Sequence, residues 1–445
     1  MRGSLGFVVA QRPRAQDAVS TVLDIGPGAT LRGVGWAANK CEEDPSMKRT
    51  WSRIIVIVVA LAAAGLAAGG LAACGCSTTS SSPNASASPT AGSSVGPSAV
   101  QQSAIAVAGG KDSTVLAAVS PDGAAMQLDP GDGHPIRKLA WSPDGTRVAM
   151  LKRVGSGQDD TSAVFVYDLA TRTTTQIVIA YDMKWTVADF AWLSPTQVAF
   201  SAFVGGSHSV RANAGLYVGD ATTGHVTPLN GADGKQLQGV SLSASADGRT
   251  LAFTRFGEKS ANTVAEDLLL LDMASKSVTT IASGKIAADV EGDAFANQLL
   301  SPDASLIFTE QTGSDVGFTV TIYSSGGDRK WRSEPMSLPT TAAWDPTGSE
   351  RVVFGGETHT AGGSLAGSIL VYDPANAQAT LLSHLQQGHD SDAFAWSPDG
   401  TTIAYTSIGR DPATTAVWTV SADGKGAKLL LKDAIAPSWG MVAVK

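Results

Sequence analysis

Beyond about Ile105 the apolar positions fall in short runs separated by polar, glycine- and proline-rich breaks, and one arrangement keeps returning. Its clearest copies are Ala140-Trp141-Ser142-Pro143-Asp144-Gly145-Thr146-Arg147-Val148-Ala149-Met150 and Ala395-Trp396-Ser397-Pro398-Asp399-Gly400-Thr401-Thr402-Ile403-Ala404-Tyr405. Degenerate copies centre on Trp192, Ala244, Leu300 and Trp344, a truncated one on Trp439, and successive copies lie 43 to 56 residues apart. Each predicts a strand ending near the tryptophan, a tight Pro-Asp-Gly turn and a short return strand. A second apolar pair follows in each period, as in Leu268 to Asp272 and Val278 to Ile281. Four strands in about 50 residues predict one blade of a β-propeller, so the fold class is all-β.

The two ends set the blade count. Val115 to Ser120 and Ala125 to Leu128 read as the second half of a repeat, and Ile435 to Val444 as the first two strands of one. If these halves complete each other, N- and C-terminal half-repeats close a seven-bladed ring. If they do not, six blades remain. The turns joining first to second and third to fourth strands are short and share one face. The longer connections, such as Lys152 to Ala163, Arg255 to Glu266 and Gly355 to Ser368, crowd the other, where binding residues are expected. Candidates there are Lys184, Trp185, His208, Arg211, His359, His384 and His389, with Lys184 and Trp185 as the leading loop pair.

Ahead of the repeats, Met47-Lys48-Arg49 and Arg53 precede an apolar run from Ile54 to Ala73 and then Cys74. Positive, apolar and small residues in that order read as a secretory signal. Leu71-Ala72-Ala73-Cys74 resembles a bacterial lipobox, which implies Cys74 as the lipidated first residue of the mature chain. The competing reading is an uncleaved membrane span of about 20 residues. Met47 is expected to be the better start, which sets residues 1–46 aside. Residues 74–103, rich in Ser, Thr, Ala and Pro, are expected to be a tether and residues 104–445 the propeller.

The repeated Trp-Ser-Pro-Asp-Gly phrase with its following strand resembles the TolB-like, PD40-type and WD-repeat-like propellers over roughly residues 105 to 445. The resemblance implies a fold shared by envelope binding proteins, scaffolds and peptidase propellers, and so implies no single activity.

Composition narrows the reading further. With 43% hydrophobic and 16% charged residues the chain should mostly fold, and its formal charge of −8 speaks against nucleic acid as a partner. Removing residues 1–73 takes away eight basic and five acidic side chains, which brings that charge to −11. All three cysteines lie in the first 76 residues, so the repeats hold no disulfide or thiol nucleophile. Asp129-Pro130-Gly131-Asp132-Gly133 lacks EF-hand spacing and reads as a turn, and His384, His389, Asp390 and Asp392 read as a solvated loop rather than a metal site. No catalytic residue, metal or cofactor is therefore expected. The reading is a membrane-anchored, non-catalytic binding lipoprotein on the extracytoplasmic side, with an envelope protein, peptide or glycan as partner. The alternative is a lyase or hydrolase using the propeller channel.

Overall fold

A computed structural model describes residues 100–154, 161–177, 185–204, 213–260, 263–287, 295–313, 317–336, 341–359, 365–385, 389–409 and 414–444. Cys74, Lys184, His208 and Arg211 lie outside the described residues, as do the signal and most of the tether. The described part is an all-β propeller built of four-strand antiparallel meanders.

In the first complete meander β4 (Ile136–Trp141), β5 (Arg147–Arg153), β6 (Ser162–Asp168) and β7 (Thr173–Ile177) pair in chain order. The next two are β8 (Trp185–Ser194), β9 (Gln197–Val204), β10 (Ala214–Asp220), β11 (Val226–Pro228), and β12 (Gln238–Ala244), β13 (Thr250–Lys259), β14 (Thr263–Asp272), β15 (Val278–Ala287). Then come β16 (Ala296–Leu300), β17 (Leu306–Gly313), β18 (Gly317–Ser324), β19 (Arg329–Arg332), and β20 (Ala342–Trp344), β21 (Val352–His359), β22 (Leu365–Asp373), β23 (Gln378–His384). The last full meander is β24 (His389–Trp396), β25 (Thr402–Gly409), β26 (Ala416–Ser421) and β27 (Lys428–Lys432). The closing sheet joins both ends of the chain in the order β28 (Ala434–Val444), β1 (Val100–Gly109), β2 (Val115–Val119), β3 (Ala125–Asp129).

Among the described residues the sheets number six rather than seven. Five are four-stranded, and one of eight strands arises because Ala214 and Gly215 of β10 pair with Gly239 and Gln238 of β12, fusing two meanders. Closure also differs from the expected pairing of half-repeats. β28 is one continuous strand, and its partner is β1, whose first residues had been assigned to the tether. The reason is local. Gly440 is followed by Met441-Val442-Ala443-Val444 instead of Pro-Asp-Gly, so nothing turns the chain back.

Two expected loops are strands as well. Residues 255–259 and 263–266 belong to β13 and β14, and residues 355–359 and 365–368 to β21 and β22, where Gly355 pairs with Ile369 and His359 with Leu365.

The core lies between meanders. Seven apolar clusters each draw on two neighbouring meanders, for example Val187, Phe190 and Trp192 of β8 against Leu151 and Val166. A second strand such as β5 is covered by sheets on both sides, so its five central residues are all buried and four of them, Val148 to Leu151, form a continuous apolar run that ends at the buried Lys152. Outer strands such as β7 and β23 are largely exposed, and β7 reads as polar.

The tryptophans of the repeat stitch these layers together. Indole Nε1 of Trp141, Trp192, Trp344 and Trp396 donates to the carbonyl of Ser438, Ala140, Leu299 and Ala343, at 2.9 to 3.0 Å in every case. Each acceptor sits at the corresponding point of the preceding inner strand.

Candidate functional site

The innermost strands enclose a central cavity of about 760 Å³. Equivalent residues line it from each: Arg137 and Lys138 of β4, Ala188 and Asp189 of β8, Val240 and Ser241 of β12, Asn297 and Gln298 of β16, Thr341 just before β20, Asp392 and Ala393 of β24, and Ile435 and Ala436 of β28. These positions fall two to four residues before the repeated Trp, or before its counterpart, near the end of the strand that meets the long connections.

The backbone is irregular at this level. Register shifts occur between Ile136 and Lys138, Val187 and Asp189, Val240 and Ser243, Ala296 and Leu299, and Ser391 and Phe394. Ser241, Asn297 and Ala436 take left-handed φ angles of 52°, 48° and 54°. Bulges of this kind re-aim side chains and interrupt pairing, here toward the channel.

The polar groups of the wall have separate roles. Lys138 Nζ donates to Asp189 Oδ1 at 2.6 Å and to the Phe190 carbonyl at 2.9 Å, and it lies over the Phe190 ring. Asp189 also accepts from the amides of Phe190 at 2.8 Å and Leu242 at 2.7 Å. That carboxylate is fully engaged and brackets β4, β8 and β12.

Asp392 is different. It is exposed to the channel, its carboxylate has no hydrogen bond or ion pair among the described residues, and desolvation by the surrounding wall holds its pKa above the ordinary value. Arg137 stands exposed at the same level of the channel, two inner strands away. Behind the wall, Asn297 Nδ2 donates to Glu310 Oε2 at 2.7 Å, while Glu310 Oε1 is buried without a partner. Burial pushes the Glu310 carboxyl up to about 8. The channel thus offers a guanidinium, one uncommitted carboxylate and a ring of bulged backbone.

The residues singled out by sequence stand elsewhere. Trp185 is no loop anchor: it opens β8, is half-buried, and packs edge-on against Tyr217 with centroids 5.2 Å apart. His384 ends β23 with Nδ1 at 3.1 Å from Ser368 Oγ, and His389 opens β24 with Nδ1 at 2.9 Å from Ser407 Oγ. Ser368 is wholly buried, so this Ser-His contact presents no nucleophile to a substrate. His359 is the last residue of β21. The structure does not bring the described histidines to the channel wall. Asp392, expected in a solvated loop, lies instead in the wall. Distance from the repeated Trp was the signal available for the lining residues.

No protein-family model matches the chain, and none of the curated proteins does. Among solved structures it is similar to TolB from Acinetobacter baumannii, with 17% identity, 76% of this chain aligned to 66% of that one, and a TM-score of 0.41. It is similar to an oligogalacturonate lyase from Vibrio parahaemolyticus at 11% identity, covering 76% and 87% of the two chains with a TM-score of 0.48. The β-propeller domain of the Trilobed protease from Pyrococcus furiosus gives 11%, 72%, 87% and 0.46 on the same measures. These likenesses concern the fold alone.

Proposed function

We propose that this chain is a lipid-anchored, non-catalytic binding protein whose seven-bladed ring offers its channel mouth and long connections to a protein, peptide or glycan of the cell envelope. The observation that carries the reading is the cavity to which seven inner strands contribute equivalent residues, with Arg137 and Asp392 exposed inside it. Counting the eight-stranded sheet as two blades accounts for those seven strands and for the seven apolar clusters between meanders.

Ser438 lies beside Trp141, so β28 continues past Gly440 toward the short turns, and Val100 pairs with Val444 at that end, opposite the channel mouth.

Two variants test the parts separately. Cys74→Ser is expected to abolish incorporation of labelled lipid and move the protein from the membrane to the soluble fraction; unchanged labelling would remove the anchor from the reading. Arg137→Glu with Asp392→Lys is expected to abolish capture of the partner that the unaltered protein retrieves from envelope extracts, at unchanged melting temperature. Equal capture by both would dismiss the channel mouth. The alternative of a channel enzyme rests on the same Asp392, as a carboxylate suited to accept a proton, and predicts turnover of envelope polysaccharide lost in Asp392→Asn.

A further inference from the structure

The closing seam breaks the stitching rule of the other tryptophans. Trp439 occupies the position of Trp141, since the carbonyl just before it, that of Ser438, accepts the Trp141 indole. By the pattern of the other four, its Nε1 should reach the carbonyl of Ala395 on β24. It bonds instead to Ser103 Oγ on β1, within its own sheet. The indole therefore does not bridge to the preceding sheet. At this seam, toward the short turns, lies a cavity of about 1060 Å³ lined by Trp439 and Ser103 on one side and by the β24–β25 and β26–β27 turns on the other.

The chemistry of the wall limits what it can hold. Trp439 is half-buried and supplies an aromatic surface. Around it stand the hydroxyls of Thr401, Thr419 and Ser421. The rim carries two acidic and two basic side chains and so no net charge: Lys425 Nζ meets Asp423 Oδ2 at 3.0 Å, Lys428 Nζ donates to the Asp122 carbonyl at 3.2 Å, and Asp399 accepts from Ser397 at 2.6 Å and Thr401 at 2.8 Å. A ligand bearing net charge would meet no net counter-charge. A large apolar anchor would meet hydroxyls and turn backbone beside the tryptophan. What matches an aromatic plane ringed by neutral hydrogen-bonding groups is a ligand with a weakly apolar face and many hydroxyls.

We propose that this seam is a binding pocket for a neutral oligosaccharide, with Trp439 as the stacking platform. The pocket lies on the opposite face from the channel mouth, so it stands whether or not the channel binds a partner.

The test uses the full chain in detergent and a panel of glucose, mannose and N-acetylglucosamine trimers, read by calorimetry and tryptophan fluorescence. At least one trimer is expected to bind and to quench fluorescence. Trp439→Ala should weaken that binding at least tenfold and Trp439→Phe, which keeps an aromatic face, by less than about threefold. Because Trp439→Ala also touches the closure, Ser421→Ala on the rim, which removes one of the hydroxyls of the wall, serves as a second variant and should lower affinity at unchanged melting temperature. Absence of binding by every trimer, or undiminished affinity in the rim variant, overturns the proposal. Preference for a Ser-Pro-rich peptide over all trimers overturns it in favour of a peptide groove.

Discussion

Glu310 is the residue whose chemistry is least at ease with its place. It is 2% exposed, one carboxyl oxygen has no partner, and burial pushes its pKa up to about 8 from 4.5. In the unfolded chain it ionises near its ordinary value, whereas the folded protein keeps the proton until about pH 8. Its contribution is therefore intact below pH 4.5, declines as pH rises, and levels off above 8, a loss of at most roughly 3 kcal/mol at neutral pH. Glu310→Gln keeps an acceptor for Asn297 and removes that loss. Thermal melts from pH 4 to 9 should coincide with wild type at the acid end and lie higher from pH 7 upward; parallel curves would mean that Glu310 is already ionised in the fold. Glu310 could not be singled out from sequence. Glu310 sits in an ordinary strand, Leu306 to Gly313, and only the packing of a neighbouring sheet makes it costly.

At the level of the element, the turns were the most legible feature, because their geometry is written in adjacent residues. In Ser142-Pro143-Asp144-Gly145 the serine hydroxyl donates to Asp144 at 2.6 Å, the Gly145 amide returns to the Ser142 carbonyl at 2.9 Å, and Gly145 takes the left-handed φ of 67° that the turn requires. Ser245–Asp247 and Ser397–Asp399 repeat the serine–aspartate bond. Those serine hydroxyls, followed by the Arg249 amide at Asp247 and the Thr401 hydroxyl and amide at Asp399, hold both carboxyls below the usual carboxylate range. The sign is opposite to that of Glu310. A depressed folded pKa stabilises above the unfolded value, and the benefit disappears as pH falls through the folded one. Asp399→Asn should lower the melting temperature by about 1–3 °C at pH 6, a surface-sized effect, and the two curves should converge as the pH falls below the ordinary carboxylate range. What could not be read locally were strands made by pairing alone. Val100 to Ser103 has the Gln/Ser composition of a tether and becomes β1 because β28 is there to receive it. The β13–β14 hairpin likewise extends through residues whose polarity had suggested a loop.

For the whole molecule the consequence is that one strand holds the ring shut. β28 pairs with β1 from Ala434–Gly109 to Val444–Val100, gives the Trp141 indole its acceptor at Ser438, donates from the Ala436 amide to the Thr406 hydroxyl, and supplies one segment of the channel wall. Its interior is closely fitted, for a β-carbon added at Gly440 would stand 2.6 Å from Cγ of Trp141. Gly440→Val should therefore cost about 1–3 kcal/mol through overpacking, without removing any hydrogen bond. Trp439→Ala should fall short of the roughly 3–5 kcal/mol expected of a fully buried tryptophan, because its ring is only half-buried. Deleting Ala434 to Lys445 acts differently from either. It bares the whole edge of β1, leaves Trp141 without its acceptor, and uncovers the apolar seam formed by Ile105, Val107, Ala404 and Val417. An unpaired edge beside uncovered apolar surface is a template for association, so the truncated protein should melt far lower than the Gly440→Val variant and elute as higher oligomers on size exclusion. A truncated protein that stayed monomeric and melted like the full chain would mean that the other inter-sheet seams hold the ring without its clasp, and that β28 serves the channel wall rather than closure.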